Sequence, residues 1–223
     1  MLFDLIFQYR QGGDLTMIIV QMLFALMIIF FSLSVHETAH GFIALKMGDP
    51  TSRNLGRLTL NPFKHLDPIG ALCMLVAGFG WAKPVPINPR YFKNPRVGMA
   101  LSAAAGPVSN LILAMLSVVA IRILFFFWIP ESMVFELLIV FFTMSASMNI
   151  SLAVFNLLPV PPLDGSRLFY VFLPPRLYFG VMKYERIIYI VVMVLLITGI
   201  LSPAISFITD HIFNGMLWLV GLN

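Results

Sequence analysis

The sequence predicts an all-α polytopic membrane protein with about four to five transmembrane helices and a small re-entrant or β element after the first. Three observations carry that prediction. The 223-residue chain is 60% hydrophobic and 11% charged, against about 25% charged residues in ordinary soluble domains. Its apolar residues fall in long uncharged runs, of which Met17 to Val35 is the first. Ionisable groups break into those runs at few places, and one is the pentapeptide His36-Glu37-Thr38-Ala39-His40. The chain reads as one integral-membrane domain over 1–223, with its motifs in 35–165 and C-terminal helices in 184–222. The net charge of +4 comes from basic residues in loops, which speaks to topology rather than nucleic-acid binding. Cys73 is the sole cysteine, so no intramolecular disulfide forms, and its apolar setting suits a small buried side chain. Met1–Gln8 is apolar but holds Asp4 and lacks a basic n-region, so the first span is expected to serve as its own insertion signal.

That span is expected over Met17–Met47, after a break at Gly12-Gly13, and exceeds the ~20 residues a bilayer needs. His36 and His40 are four apart and share one helix face, so both can grip one metal ion. Zinc is the usual guest, held through neutral imidazole nitrogens. Glu37 sits roughly 100° round the helix, where it can reach a water on the ion and take its proton. The motif falls about 28 Å along the axis from Met17, toward the C-terminal side of the membrane and away from the midplane. Ionisable groups at that depth are costly and mark function.

Gly48-Asp49-Pro50 ends the helix. Over Arg53–Leu60 the period changes: Leu58 and Leu60 alternate with Arg57 and Thr59, which predicts a short strand. In the polar, Pro-punctuated stretch that follows, His65 and Asp67 read as loop hydrogen-bonding groups or as a second ligand set. Ile69–Gly80 is apolar but too short to span, and fits a re-entrant element packed against protein. Trp81–Pro89 is Pro-rich and extended, suited to running beside the Arg53–Leu60 strand.

The second span is expected over Val97–Phe127. Its patch Ser102-Ala103-Ala104-Ala105-Gly106 permits close helix contact, Pro107 kinks it, and Asn110 reads either as part of that packing joint or as a lining group of the site. Trp128-Ile129-Pro130 is an interfacial turn. The third span is expected over Leu137–Leu158, followed by Pro159-Val160-Pro161-Pro162-Leu163-Asp164-Gly165, whose prolines unwind the chain. Ile187–Ser202 is the fourth. Ala204–Leu222 either crosses back or lies at the interface, and its His211 reads as exposed or structural.

A catalytic zinc takes three protein ligands and keeps one open position. Asp164, a carboxylate after an unwound stretch on the same side as the motif, is the best candidate for the third ligand, and His65 is the runner-up. Asn156 stands where its amide could donate to a developing oxyanion. Loop charge sets orientation: Arg53, Arg57, Lys64, Lys83, Arg90, Lys93 and Arg96 lie in 48–96, Arg167, Arg176, Lys183 and Arg186 in 160–186, and none lies in 129–136. The basic side is therefore expected to be cytoplasmic, with the metal toward that face of the cell membrane.

At this point the residues resemble the site-2 protease family of intramembrane zinc metalloproteases. The likeness rests on H-E-x-x-H in a transmembrane helix with Asn156-x-x-Pro159-x-Pro161-x-Leu163-Asp164-Gly165 downstream. Gly56-Arg57-Leu58-Thr59-Leu60-Asn61-Pro62 and Ala105-Gly106-Pro107-x-x-Asn110 add to it, so it covers about Val35 to Gly165. The resemblance implies that His36, His40 and Asp164 ligate one Zn2+, that Glu37 is the general base, and that Asn156 lies close to the reacting carbonyl. Pro162 is a departure at a position where the motif varies. The chain is similar to a compact prokaryotic form without PDZ or CBS domain. The implied partner is a transmembrane segment of another protein, cleaved for regulated release of a signalling factor, with the bilayer around both. A peptide bond in a helix is shielded by its own hydrogen bonds, so substrate must be extended, and an edge at Leu58 and Leu60 could hold it by β-augmentation. The alternative from another class is a metal transporter or non-proteolytic metal-binding membrane protein. Such a protein spreads polar groups along a path, often in repeated halves, whereas here they cluster at one depth without repeat.

Overall fold

The computed structural model describes residues 12, 14–70, 73, 82–127, 132–174, 177, 180 and 183–222. Helix α1 (Leu15–Lys46) begins at Asp14, whose side chain accepts from the Thr16 N–H at 2.9 Å. It ends where Gly48, at φ +110°, lets the Asp49 N–H reach back to the Ala44 carbonyl, a left-handed glycine stop. Two short helices follow, α2 (Thr51–Asn54) and α3 (Pro62–His65), then a 3-10 turn at Pro89–Tyr91. Helix α4 (Pro95–Phe126) starts with Asn94 as cap and Pro95 in its first turn, and carries Pro107 inside. Helix α5 (Met133–Asn156) is capped by Ser132. The chain then turns through 157–163 into α6 (Asp164–Phe169) and a 3-10 turn at Tyr170–Phe172, and closes with α7 (Glu185–Ile197) and α8 (Ser202–Leu219).

Helices α1, α4 and α5 are long and apolar enough to cross a membrane. The chain is a helical multi-pass membrane protein. Their outward faces carry large apolar side chains such as Leu23, Met27 and Phe31, as lipid contact requires, while α1 and α4 meet over small or polar residues including Ala103 and Gly106. Ala114, Ile150 and Val154 form a buried core between α4 and α5, against which Ile205, Ile212, Phe213 and Met216 of α8 pack. Hydrogen bonds between Ser117 and Ser145 and between Ser151 and Thr209 tie the same helices together.

The segment read as a short fourth span over Ile187–Ser202 holds the 13-residue α7, and a turn at 198–201 separates it from α8. One expectation changes. The strand read over Arg53–Leu60 does not form. Asp49 accepts from both the N–H and the hydroxyl of Thr51 and starts α2, and Gly56 at φ +62° reverses the chain so that the Arg57 N–H closes onto the Ser52 carbonyl. The alternation of 57–60 is real, but it follows a turn and has no strand partner. Among the described residues the one β-type contact is an antiparallel bridge between Leu66 and Ala82. Most of Ile69–Gly80 lies outside the described residues.

Candidate metal centre

The centre is built from three helices and one strap. His36 and His40 project from α1 with their rings edge to face, centroids 4.5 Å apart. Asp164, first residue of α6, brings Oδ2 to 3.1 Å from His36 Nε2 and 3.2 Å from His40 Nε2. Its carboxylate faces the imidazoles, and no backbone N–H of α6 bonds to it. Burial alone would raise the Asp164 carboxyl, but hydrogen bonds from His36 and His40 hold it below the usual carboxylate range. Gly165 makes this approach possible: a Cβ there would collide with the carbonyl oxygens of Leu157 and Leu158, so only glycine lets α6 fold back on the end of α5.

The donor set fits a tetrahedral ion. Zinc–nitrogen and zinc–oxygen distances of about 2.0–2.2 Å at a tetrahedral angle separate two ligand atoms by roughly 3.3 Å, close to the 3.1 and 3.2 Å edges here. Glu37 also lies near, with ligand atoms of His36, Glu37 and His40 all within 4.8 Å of one another. Glu37 Oε2 is engaged at 2.7 Å by the Val85 N–H, whereas Asp164 Oδ2 meets both histidines. His65, the runner-up, is buried elsewhere, with Nε2 bonded to the Thr59 carbonyl at 2.8 Å.

His40 is held from α4. Its Nδ1 lies 2.7 Å from the Ser102 carbonyl, a contact that orients the ring. One turn on, Gly106 presents bare backbone to both imidazoles: a Cβ there would stand 2.5 Å from His36 Cε1 and Nε2 and from His40 Cε1. The patch Ser102–Gly106, read in sequence as a packing joint, is thus the bed on which both histidine rings rest. Smallness was the available signal; the object packed against it was not legible.

These side chains open on a cavity of about 290 Å³, lined by His36, Glu37, His40, Asn156 and Asp164 on one side and Ala82, Pro84, Val85 and Ile87 on the other. Asn156 gives one amide N–H to the Leu152 carbonyl at 2.9 Å, which leaves its second donor free of that bond. The strap 82–88 is held extended by Arg57 on the carbonyls of Lys83 and Pro84, Ser52 on the carbonyl of Pro86, and Asp49 on the N–H of Asn88. Leu58 and Leu60 stand outside the cavity lining. Leu58 packs near Gly41, Leu60 is exposed, and the Thr59 carbonyl between them is taken by Thr38 and His65. His211, on α8, is exposed.

The profile of peptidase family M50 matches residues 124–200, the part of the chain that holds Asn156 and Asp164. YwhC of Bacillus subtilis is 45% identical over 168 residues, which cover 75% of this chain and 77% of that protein. The chain belongs to peptidase family M50. This M50 member is a metalloprotease of the membrane, similar to the site-2 proteases its motifs resemble. Rip2 of Mycolicibacterium smegmatis is 32% identical over 77% of this chain and 65% of its own length. Rip2 of Mycobacterium tuberculosis is 34% identical over 66% of this chain and 54% of its own length. All three carry the description "Putative zinc metalloprotease". No solved structure matches the M50 chain.

Proposed function

We propose that the protein is a zinc-dependent intramembrane endopeptidase in which His36, His40 and Asp164 hold the ion, Glu37 is the general base and Asn156 stabilises the reacting carbonyl. The observation that carries this reading is that two imidazole nitrogens each lie within 3.2 Å of one carboxylate oxygen, with a second carboxylate beside them. Zinc, when bound, supplies Lewis acidity. Glu37 takes a proton from the attacking water and returns it to the leaving amine. Its Oε1 is the oxygen for that task, since Oε2 is held by Val85. The free N–H of Asn156 donates to the oxygen on which charge develops.

The substrate is a transmembrane segment of another protein, extended at the cleaved bond. The backbone that flanks it is the strap 82–88 rather than 58–60, because Val85 and Ile87 line the cavity and Leu58 and Leu60 do not. The seven basic residues of 48–96 support a cytoplasmic position for the centre in the cell membrane, and cleavage there suits regulated release of a signalling factor. The test is Glu37→Gln in purified protein, with zinc content and cleavage of a membrane substrate measured together. Turnover should collapse while zinc stays bound. Near-normal cleavage would remove this mechanism, and lost zinc would make Glu37 a ligand.

A further inference from the structure

The three-ligand reading leaves the outer ring nitrogen of His36 unexplained. Metal-bound histidines nearly always donate their second ring nitrogen to an acceptor, which fixes tautomer and orientation. His40 does so through Ser102. Among the described residues His36 Nδ1, which is buried, has no partner, and neither has either polar atom of the buried Asn110 amide. Asn110 is wholly buried. A buried donor and a buried amide inside a membrane bundle are each costly to leave without a hydrogen bond.

Helix geometry puts the two at one level. Helices α1 and α4 run antiparallel, with His40 beside Ser102 and Gly106 against the rings of both His36 and His40. Asn110 is one turn beyond Gly106 on the same face. Side chains lean toward the N-terminus of their own helix, so the Asn110 amide leans back toward Gly106 while the His36 ring leans toward Ser32, and the two converge. The local alternative is an acceptor four residues back on the same helix, as His211 uses the Phe207 carbonyl at 2.8 Å. His36 makes no such bond to its own helix.

We propose that Asn110 is the positioning residue for His36: its amide oxygen accepts the His36 Nδ1–H and holds Nε2 on the ion. This rests on the zinc-site reading above. It is tested by zinc affinity in the purified full chain, by chelator competition, together with thermal melting of the metal-free protein. Asn110→Leu keeps the volume and removes the acceptor. Zinc affinity should fall 10- to 100-fold, with the metal-free melting temperature unchanged or raised. Asn110→Asp keeps an acceptor and should bind zinc within threefold of wild type. Wild-type affinity in Asn110→Leu, or a tenfold loss in Asn110→Asp, overturns the assignment; the second criterion decides alone if Asn110→Leu does not fold. A wild-type chain that binds no zinc instead overturns the site reading itself, and this inference with it.

Discussion

Gly106→Ala is a small change aimed directly at the two histidine rings. The new methyl would stand 2.5 Å from three ring atoms of His36 and His40, where carbon contacts settle near 3.5–4.0 Å. About 1 Å of movement is therefore required, and it has two outlets. Either the imidazoles shift, although metal–ligand distances hold to within about 0.2 Å, or α4 retreats from α1. Retreat stretches the His40–Ser102 bond from 2.7 Å beyond hydrogen-bonding range, at about 0.5–1.5 kcal/mol, and releases the ring it orients. A 1 Å misplacement of a reacting group costs on the order of 100-fold in rate, so turnover should drop by about that factor, and zinc affinity by about 10- to 100-fold as the ring loses its outer-shell partner. The general benefit of replacing a helical glycine, about 0.5–1 kcal/mol, works in the opposite direction. Gly215→Ala is the control, since nothing lies within 4 Å of the added carbon. The assay is zinc retained per chain after dialysis against a graded chelator, with the melting temperature as a check on folding. A Gly106→Ala protein with wild-type zinc affinity would refute the packing of α4 on the histidine rings.

Asp164→Ser keeps a small polar side chain but supplies a poor zinc ligand, so it should lose zinc and activity while inserting normally; an active, zinc-replete variant would remove Asp164 from the ligand set. Thr38→Val removes the 2.7 Å bond to the Thr59 carbonyl and should lower stability by about 1 kcal/mol with zinc content unchanged, as read by melting and elemental analysis. Lys93, exposed in the basic loop, should label from the cytoplasmic side alone when replaced by cysteine in a Cys73→Ser background. Labelling from outside intact cells would reverse the orientation.

The sequence by itself determined the membrane class, the three long spans to within a few residues at most ends, and the chemistry of the centre. Those follow from short-range rules: helical spacing puts His36 and His40 on one face, and apolar run length sets a span. Asp164 was legible as the best candidate for a carboxylate near the pair, since prolines unwind the chain before it, and the fold does bring it to both histidines. The sequence did not reveal what touches what across helices. That Ser102 orients His40 is a backbone carbonyl contact, which no residue type announces. That Gly106 lies against two imidazoles depends on the register of α1 on α4, and a small-residue patch reads the same whichever surface it meets. The strand expected at 53–60 failed for a related reason. Its alternation was local, while the turn at Gly56 and the capture of the Thr59 carbonyl by Thr38 and His65 are decided by neighbours that only the folded chain brings near. The extended segment beside Glu37 is instead 82–88, fixed by Arg57, Ser52 and Asp49, because its backbone groups found buried partners there and those of 58–60 found theirs elsewhere.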